Sequence, residues 1–323
     1  MSKIKHLRIR NFPISYYSIS LGLAGFAVAW QKAEAILGLG WGVSYVVFFS
    51  VVVMFSITSF VYILKWIKFP EEVKKEIDDP IKINFYPIIA KVFLLLSIFL
   101  LGWKMMALSK VLWIIGAILQ FGFSISMIST WMHKTHFELK HISPALFIPI
   151  VGNIIVPIAG VTHFPAEISW FFFSIGFFLW LIFTTIVFNR IIFHEPLPAK
   201  LIPTFFILMA PPAIGFIAYV KLTGHVDIFA KLMYYFSLFL FFALLAQVKY
   251  FSKIKFFLSS WAYSFPLDAF TIATIFIYHE TGMVFFKYIA MFSLGLLSII
   301  IIILTQKTIT AMKSHEICVE EDE

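Results

Sequence analysis

The sequence predicts an all-α polytopic membrane protein, with ten transmembrane helices arranged as five helical hairpins around a central pore. Three observations predict it. Apolar runs of about 18 residues or more, enough to cross a bilayer as a helix, recur along the chain. The residues are 61% hydrophobic and 13% charged, whereas a soluble domain carries about a quarter charged residues. Interior Pro and Gly fall on alternate runs, which separates two kinds of helix.

Taken in order, the spans are expected at roughly 14–31, 43–64, 83–101, 111–131, 145–161, 167–188, 201–220, 228–248, 257–278 and 284–306. The first follows a basic segment (Lys3, Lys5, Arg8, Arg10) with no small-residue cleavage site after it, so it reads as a retained helix and not a signal peptide. Connections are short except 65–82, where Glu71, Glu72, Lys74, Lys75, Glu76, Asp78 and Asp79 suggest a solvated extension of mixed charge. The chain is one transmembrane domain over 1–323, embedded over about 11–306, with tails at 1–10 and 307–323.

Lys and Arg set the orientation. Of the 25 in the chain, the outer connections hold only Lys32, Lys104, Lys110 and Lys221, with Lys231 and Lys287 at helix starts. Nearly all the others lie on the side of the N-terminus, which places both termini in the cytoplasm of a cell inner (plasma) membrane. This asymmetry accounts for the net charge of +8 without a nucleic-acid partner. The single cysteine, Cys318, rules out a disulfide framework and a cysteine metal site.

The odd-numbered spans carry the helix breakers: Gly22 and Gly25; Pro87; Pro149, Gly152, Pro157 and Gly160; Pro211, Pro212 and Gly215; Pro266. The even spans contain no proline. Breaks at membrane depth are tolerated where protein or water satisfies the backbone. The odd spans are therefore expected to form an inner layer around a lumen, and the even spans a straighter, lipid-facing layer.

Span 9 concentrates the polar signals. Phe265 precedes Pro266, and Asp268 follows Phe265 by three positions, on nearly the same helix face. Phe265 is either the residue that closes the lumen or one more of the forty packed Phe. Asp268 either pairs with Lys91 of span 3 or bonds hydroxyls such as Thr271, with Lys91 then reaching towards the cytoplasmic face. Asn153, Gln120 and Gln247 read as helix–helix hydrogen-bonding groups.

All nine histidines lie at membrane ends or in loops, so no haem is expected within the bilayer. His133, His136 and His141 are close in sequence, but no metal, cofactor or nucleotide motif is found. The protein is expected not to be an enzyme.

Four motifs carry a resemblance. They are Asn11-Phe12-Pro13 with Ser18-Ile19-Ser20-Leu21-Gly22-Leu23-Ala24; Pro149-Ile150-Val151-Gly152-Asn153; Ala210-Pro211-Pro212-Ala213; and Trp261-Ala262-Tyr263-Ser264-Phe265-Pro266. In that order the chain resembles the tellurite-resistance/dicarboxylate transporter (TDT) family, which includes bacterial TehA and the plant guard-cell slow-type anion channel. The resemblance implies a homotrimer, each protomer with its own pore, blocked by the phenylalanine at Phe265. It makes Ser18, Gly22, Gly152, Asn153, Pro211, Pro266, Asp268 and Lys91 pore-lining or gate-adjacent. At Ser18 the family carries a glycine, and at Asp268 a small or hydroxylic residue; both are departures.

The function expected is a gated channel for small monovalent anions such as chloride and nitrate. The alternative is a proton-coupled transporter of dicarboxylates or of oxyanions such as tellurite, with Asp268 or Lys91 as the titrating group.

Overall fold

The structure, a computed structural model, describes residues 8–133, 138–314 and 316–318. Lys3, Lys5 and His136 lie outside the described residues. Within them the α-helices longer than a single turn are α1 (Tyr17–Ile36), α2 (Val43–Lys68), α3 (Pro70–Asp78), α4 (Ile88–Gly102), α5 (Met106–His133), α6 (Ile148–His163), α7 (Ala166–Phe193), α8 (Ala210–Thr223), α9 (Ile228–Leu245), α10 (Ser264–Thr281) and α11 (Val284–Lys313). A helix therefore lies at each of the ten expected spans, and α3 is an addition. Eight of the rods are long and apolar enough to cross a membrane. The other two, α1 and α10, carry more polar residues, Asp268 among them, and are largely buried in the protein.

Burial separates inner from outer rods. Between 72% and 83% of the central window is buried in the rods of α4, α6 and α8, against 28% to 44% in α2, α5, α7, α9 and α11. The inner helices close a ring: α1 packs on α4, α4 on α6, α6 on α8, α8 on α10, and α10 back on α1. Each outer helix packs on its hairpin partner. The residues that start the five inner helices, Ser18, Ile88, Ile148, Ala210 and Pro266, line one cavity, so all five run the same way.

Each inner helix is preceded by a 3₁₀ segment: Ile14–Tyr16, Lys82–Phe85, Pro144–Phe147, Ala199–Met209 and Leu258–Tyr263. The prolines mark the switch from 3₁₀ to α. Pro87 is the N-cap of α4, and Pro149, Pro211, Pro212 and Pro266 lie within the first three residues of α6, α8 and α10. At these positions the missing N–H has no intrahelical partner to lose, so proline starts the helix and does not break it. Pro157, inside α6, is the exception.

Gly22 and Gly25 do not interrupt α1 either; they let α10 approach. A β-carbon on Gly22 would lie 2.1 Å from Ser264 Oγ, and one on Gly25 2.3 Å from Asp268 Oδ2.

The segment 65–82 is the expected extension in part, helical with Glu71, Lys74, Lys75 and Asp78 exposed, but Lys65 and Glu76 are buried. Lys65 and Glu76 form an ion pair of 3.1 Å with side chains only 3% and 8% exposed. Tyr62 donates its hydroxyl to Glu76 at 2.7 Å, the Ile14 amide donates to the same carboxylate at 3.3 Å, and Lys65 donates to the Phe12 carbonyl at 2.9 Å. The apolar side of α3, with Val73, is thus fastened beside the start of α1. At the other end, α11 continues past the expected 306 to Lys313, and Thr308 in that extension accepts the Trp261 indole N–H at 3.0 Å.

Candidate functional site

Two cavities lie within the ring, and both are lined by residues of all five inner rods and of none of the outer ones. The larger, about 350 Å³, spans the C-terminal halves of the inner helices. The smaller, about 40 Å³, lies where the helices begin, among Ser18, Ile88, Ile148, Ala210 and Pro266. Each of these is within the first three residues of its own helix. The positive ends of five helix dipoles therefore surround the small cavity.

Phe265 lines both cavities, and among the described residues no other does so. It is the second residue of α10, 8% exposed, at the boundary between the two spaces. Its position follows from local sequence. Pro266 fixes the switch from 3₁₀ to α, the Ser264 hydroxyl donates back to the Trp261 carbonyl at 2.6 Å, and Gly22 gives room for Ser264 against α1.

The other candidates divide. Ser18, Lys91 and Pro266 line the small cavity, and Asp268 lines the large one. Gly22, Gly152, Asn153 and Pro211 line neither. Asn153 instead faces the outer helix α5: its amide donates to Ser124 Oγ at 2.9 Å, and Gln120 donates to the Pro149 carbonyl at 2.7 Å. A β-carbon on Gly152 would meet Gln120 Oε1 at 1.9 Å. These groups clasp one hairpin to the next, as expected for Asn153 and Gln120 as helix–helix hydrogen-bonding groups. Gln247 bonds only the Ala243 carbonyl one turn back, so it joins no second helix.

Neither expected partnership of Asp268 forms. It is fully buried, both carboxyl oxygens lack a hydrogen-bond partner, and the Thr271 hydroxyl beside it is unpartnered too. No ion pair joins Asp268 to Lys91, which lines the other cavity. Lys91 is 2% exposed, so it does not reach the surface.

Sequence reasoning did not single out the groups at the open end of the large cavity: Lys32, Thr162, Lys221, His279 and Glu280. Lys32 and Lys221 end two inner helices on the same side, and the charges of the two interact. Their signal was available, since both stand among the few lysines of the outer connections. Among the described residues no group of three or more His, Cys, Asp or Glu comes together to hold a metal.

The profile of the SLAC1 voltage-dependent anion channel family matches residues 11–309. An uncharacterized transporter of Methanocaldococcus jannaschii is 29% identical over 96% of this chain and 97% of its own. The S-type anion channel SLAH2 of Arabidopsis thaliana is 31% identical over 82% of this chain, which spans about half of it (52%). The tellurite resistance protein TehA homolog of Haemophilus influenzae is 27% identical over 83% of this chain and 81% of its own.

Proposed function

The chain belongs to the SLAC1 voltage-dependent anion channel family, which also includes the TehA homolog, and from that premise we propose that it is a gated channel for small monovalent anions such as chloride and nitrate. The observation that carries the reading is the place of Phe265. A closed ring of five helices holds space on both sides of one phenyl ring, and among the described residues Phe265 alone borders both spaces. An apolar plug excludes water, and an ion cannot pass where it must shed its hydration shell without replacement. With Phe265 swung aside, the two cavities become one path.

The rest of the lumen suits anions. Lys32 and Lys221 stand at the wide end, where positive charge raises the local anion concentration. The helix starts at the narrow end offer partial positive charge without a ring of fixed cations, so binding stays weak enough for release. Asp268 does not oppose this when it carries its proton. The protomers assemble as a homotrimer, each with its own path, in the inner membrane with both termini cytoplasmic.

One observation favours a second reading. A buried carboxyl without a partner inside the lumen is what a proton-coupled carrier of dicarboxylates or oxyanions would use. Bilayer recordings of purified Phe265→Ala with anion substitution separate the two. A channel gives unitary currents far above carrier turnover, reversing with the chloride or nitrate gradient. A carrier gives slow flux that follows the proton gradient, with no resolvable unitary events.

A further inference from the structure

The small cavity contains two donors with no acceptor among the described residues. Lys91 is 2% exposed and its ammonium makes no hydrogen bond or ion pair with any described residue. Ser18 is 7% exposed, lines the same cavity, and its hydroxyl is likewise unbonded. The other two hydroxyls on the wall are committed: Thr204 donates to the Leu201 carbonyl and Ser259 to the Lys200 carbonyl. Asp268, the acid expected to balance Lys91, lines the other cavity, beyond Phe265.

Most of the remaining wall is apolar, including Leu21, Phe85, Ile88, Val151 and Ile207. A buried ammonium in such surroundings needs a counter-charge or must give up its own. Five helices begin around the cavity, and their dipoles favour negative charge at that point. The volume of about 40 Å³ exceeds the ~10–15 Å³ that one water needs on the same measure, so a small ion has room there.

We propose that this cavity is a binding site for one small monovalent anion, held by the Lys91 ammonium and the Ser18 hydroxyl on the cytoplasmic side of Phe265. The choice of an anion as ligand rests on the channel reading. The site itself is reached without opening Phe265, so it can be tested in the closed protein. The anion there supplies the charge that Lys91 lacks and waits one phenyl ring from the large cavity. Lys91 and Ser18 are thus selectivity-determining residues.

The test is a chloride titration of the purified full-length chain, with gluconate as replacement at constant ionic strength, read as melting temperature. A ligand that binds only the folded state raises it in a saturable way. The wild type is expected to show that rise. In Lys91→Gln it should disappear, and in Ser18→Ala its midpoint should move to roughly tenfold higher chloride or more, as for the loss of one hydrogen bond to a charge. A wild type indifferent to chloride, or a Lys91→Gln that titrates as the wild type does, overturns the proposal. Should Lys91→Gln fail to fold, an unshifted midpoint in Ser18→Ala overturns it equally. Flux through Phe265→Ala reads the channel reading separately. No flux with the chloride-dependent rise intact sinks conduction and leaves the site, and flux with no effect of Lys91 does the reverse.

Discussion

Lys91 and Asp268 lie on opposite sides of Phe265, both buried, each lining a different cavity, with no ion pair between them. The two side chains stand on α4 and α10, inner rods that are not neighbours in the ring, and Phe265 lies between the cavities they line. A double-mutant cycle of Lys91→Met and Asp268→Asn should show additive effects, with a coupling below about 0.5 kcal/mol. Neither single change should approach the ~3–5 kcal/mol that follows from stranding one member of a buried pair. Thermal melts of the four proteins measure it, and a coupling of several kcal/mol would show that the two residues do meet.

Gly25 should not tolerate a side chain. A β-carbon there would lie 2.3 Å from Asp268 Oδ2 and 2.8 Å from Asp268 Cβ, so α1 and α10 would have to separate. Gly25→Ala is expected to destabilise by about 1–3 kcal/mol, the usual range for overpacking. Gly295→Ala in α11, where nothing lies within 4 Å, is the control. It should be neutral or stabilising by up to about 1 kcal/mol, because alanine is the better helix former.

The buried Lys65–Glu76 pair makes the opposite case to Lys91 and Asp268. Glu76→Gln leaves the Lys65 ammonium in a nearly dry site, and a loss of about 3–5 kcal/mol is expected. The double change Glu76→Gln with Lys65→Met should recover most of it. Equal melting temperatures for Glu76→Gln and the wild type would mean that α3 is not fastened by this pair.

Most of the helices could be read from the sequence because lipid imposes length and apolarity on every rod, and the outer rods obey it fully. The two layers were legible from the prolines, although for a different reason than a break at depth: Pro149, Pro211 and Pro266 sit where the α-helix starts. What the residues could not show is which neighbour a buried polar group meets. Glu76 stands in a run that looks solvated, and only the fold brings Lys65, Tyr62 and the Ile14 amide to it. Gly152 and Asn153 belong to an inner rod yet face α5. The i, i+4 pair Gln120 and Ser124 on α5 was the available sign of that contact. The separation of Lys91 from Asp268 depends on which side of Phe265 each side chain takes, and no spacing along the chain encodes that.

The central claim is that Phe265 closes the path between the two cavities. The measurement is chloride conductance of Phe265 variants in bilayers or oocytes at matched surface expression. Phe265→Ala should conduct and remain anion-selective, Phe265→Leu should be intermediate, and Phe265→Trp and Phe265→Tyr should stay closed. Ser18→Phe, on the wall of the same small cavity, should close Phe265→Ala again. Phe270 is fully buried on the same helix, stacks on Phe241 at 4.3 Å between ring centroids and lines neither cavity. Phe270→Ala should therefore not open the protein. If Phe265→Ala conducts no more than the wild type, while Phe270→Ala or another inner-rod aromatic change does, Phe265 is a packing residue and the account is wrong.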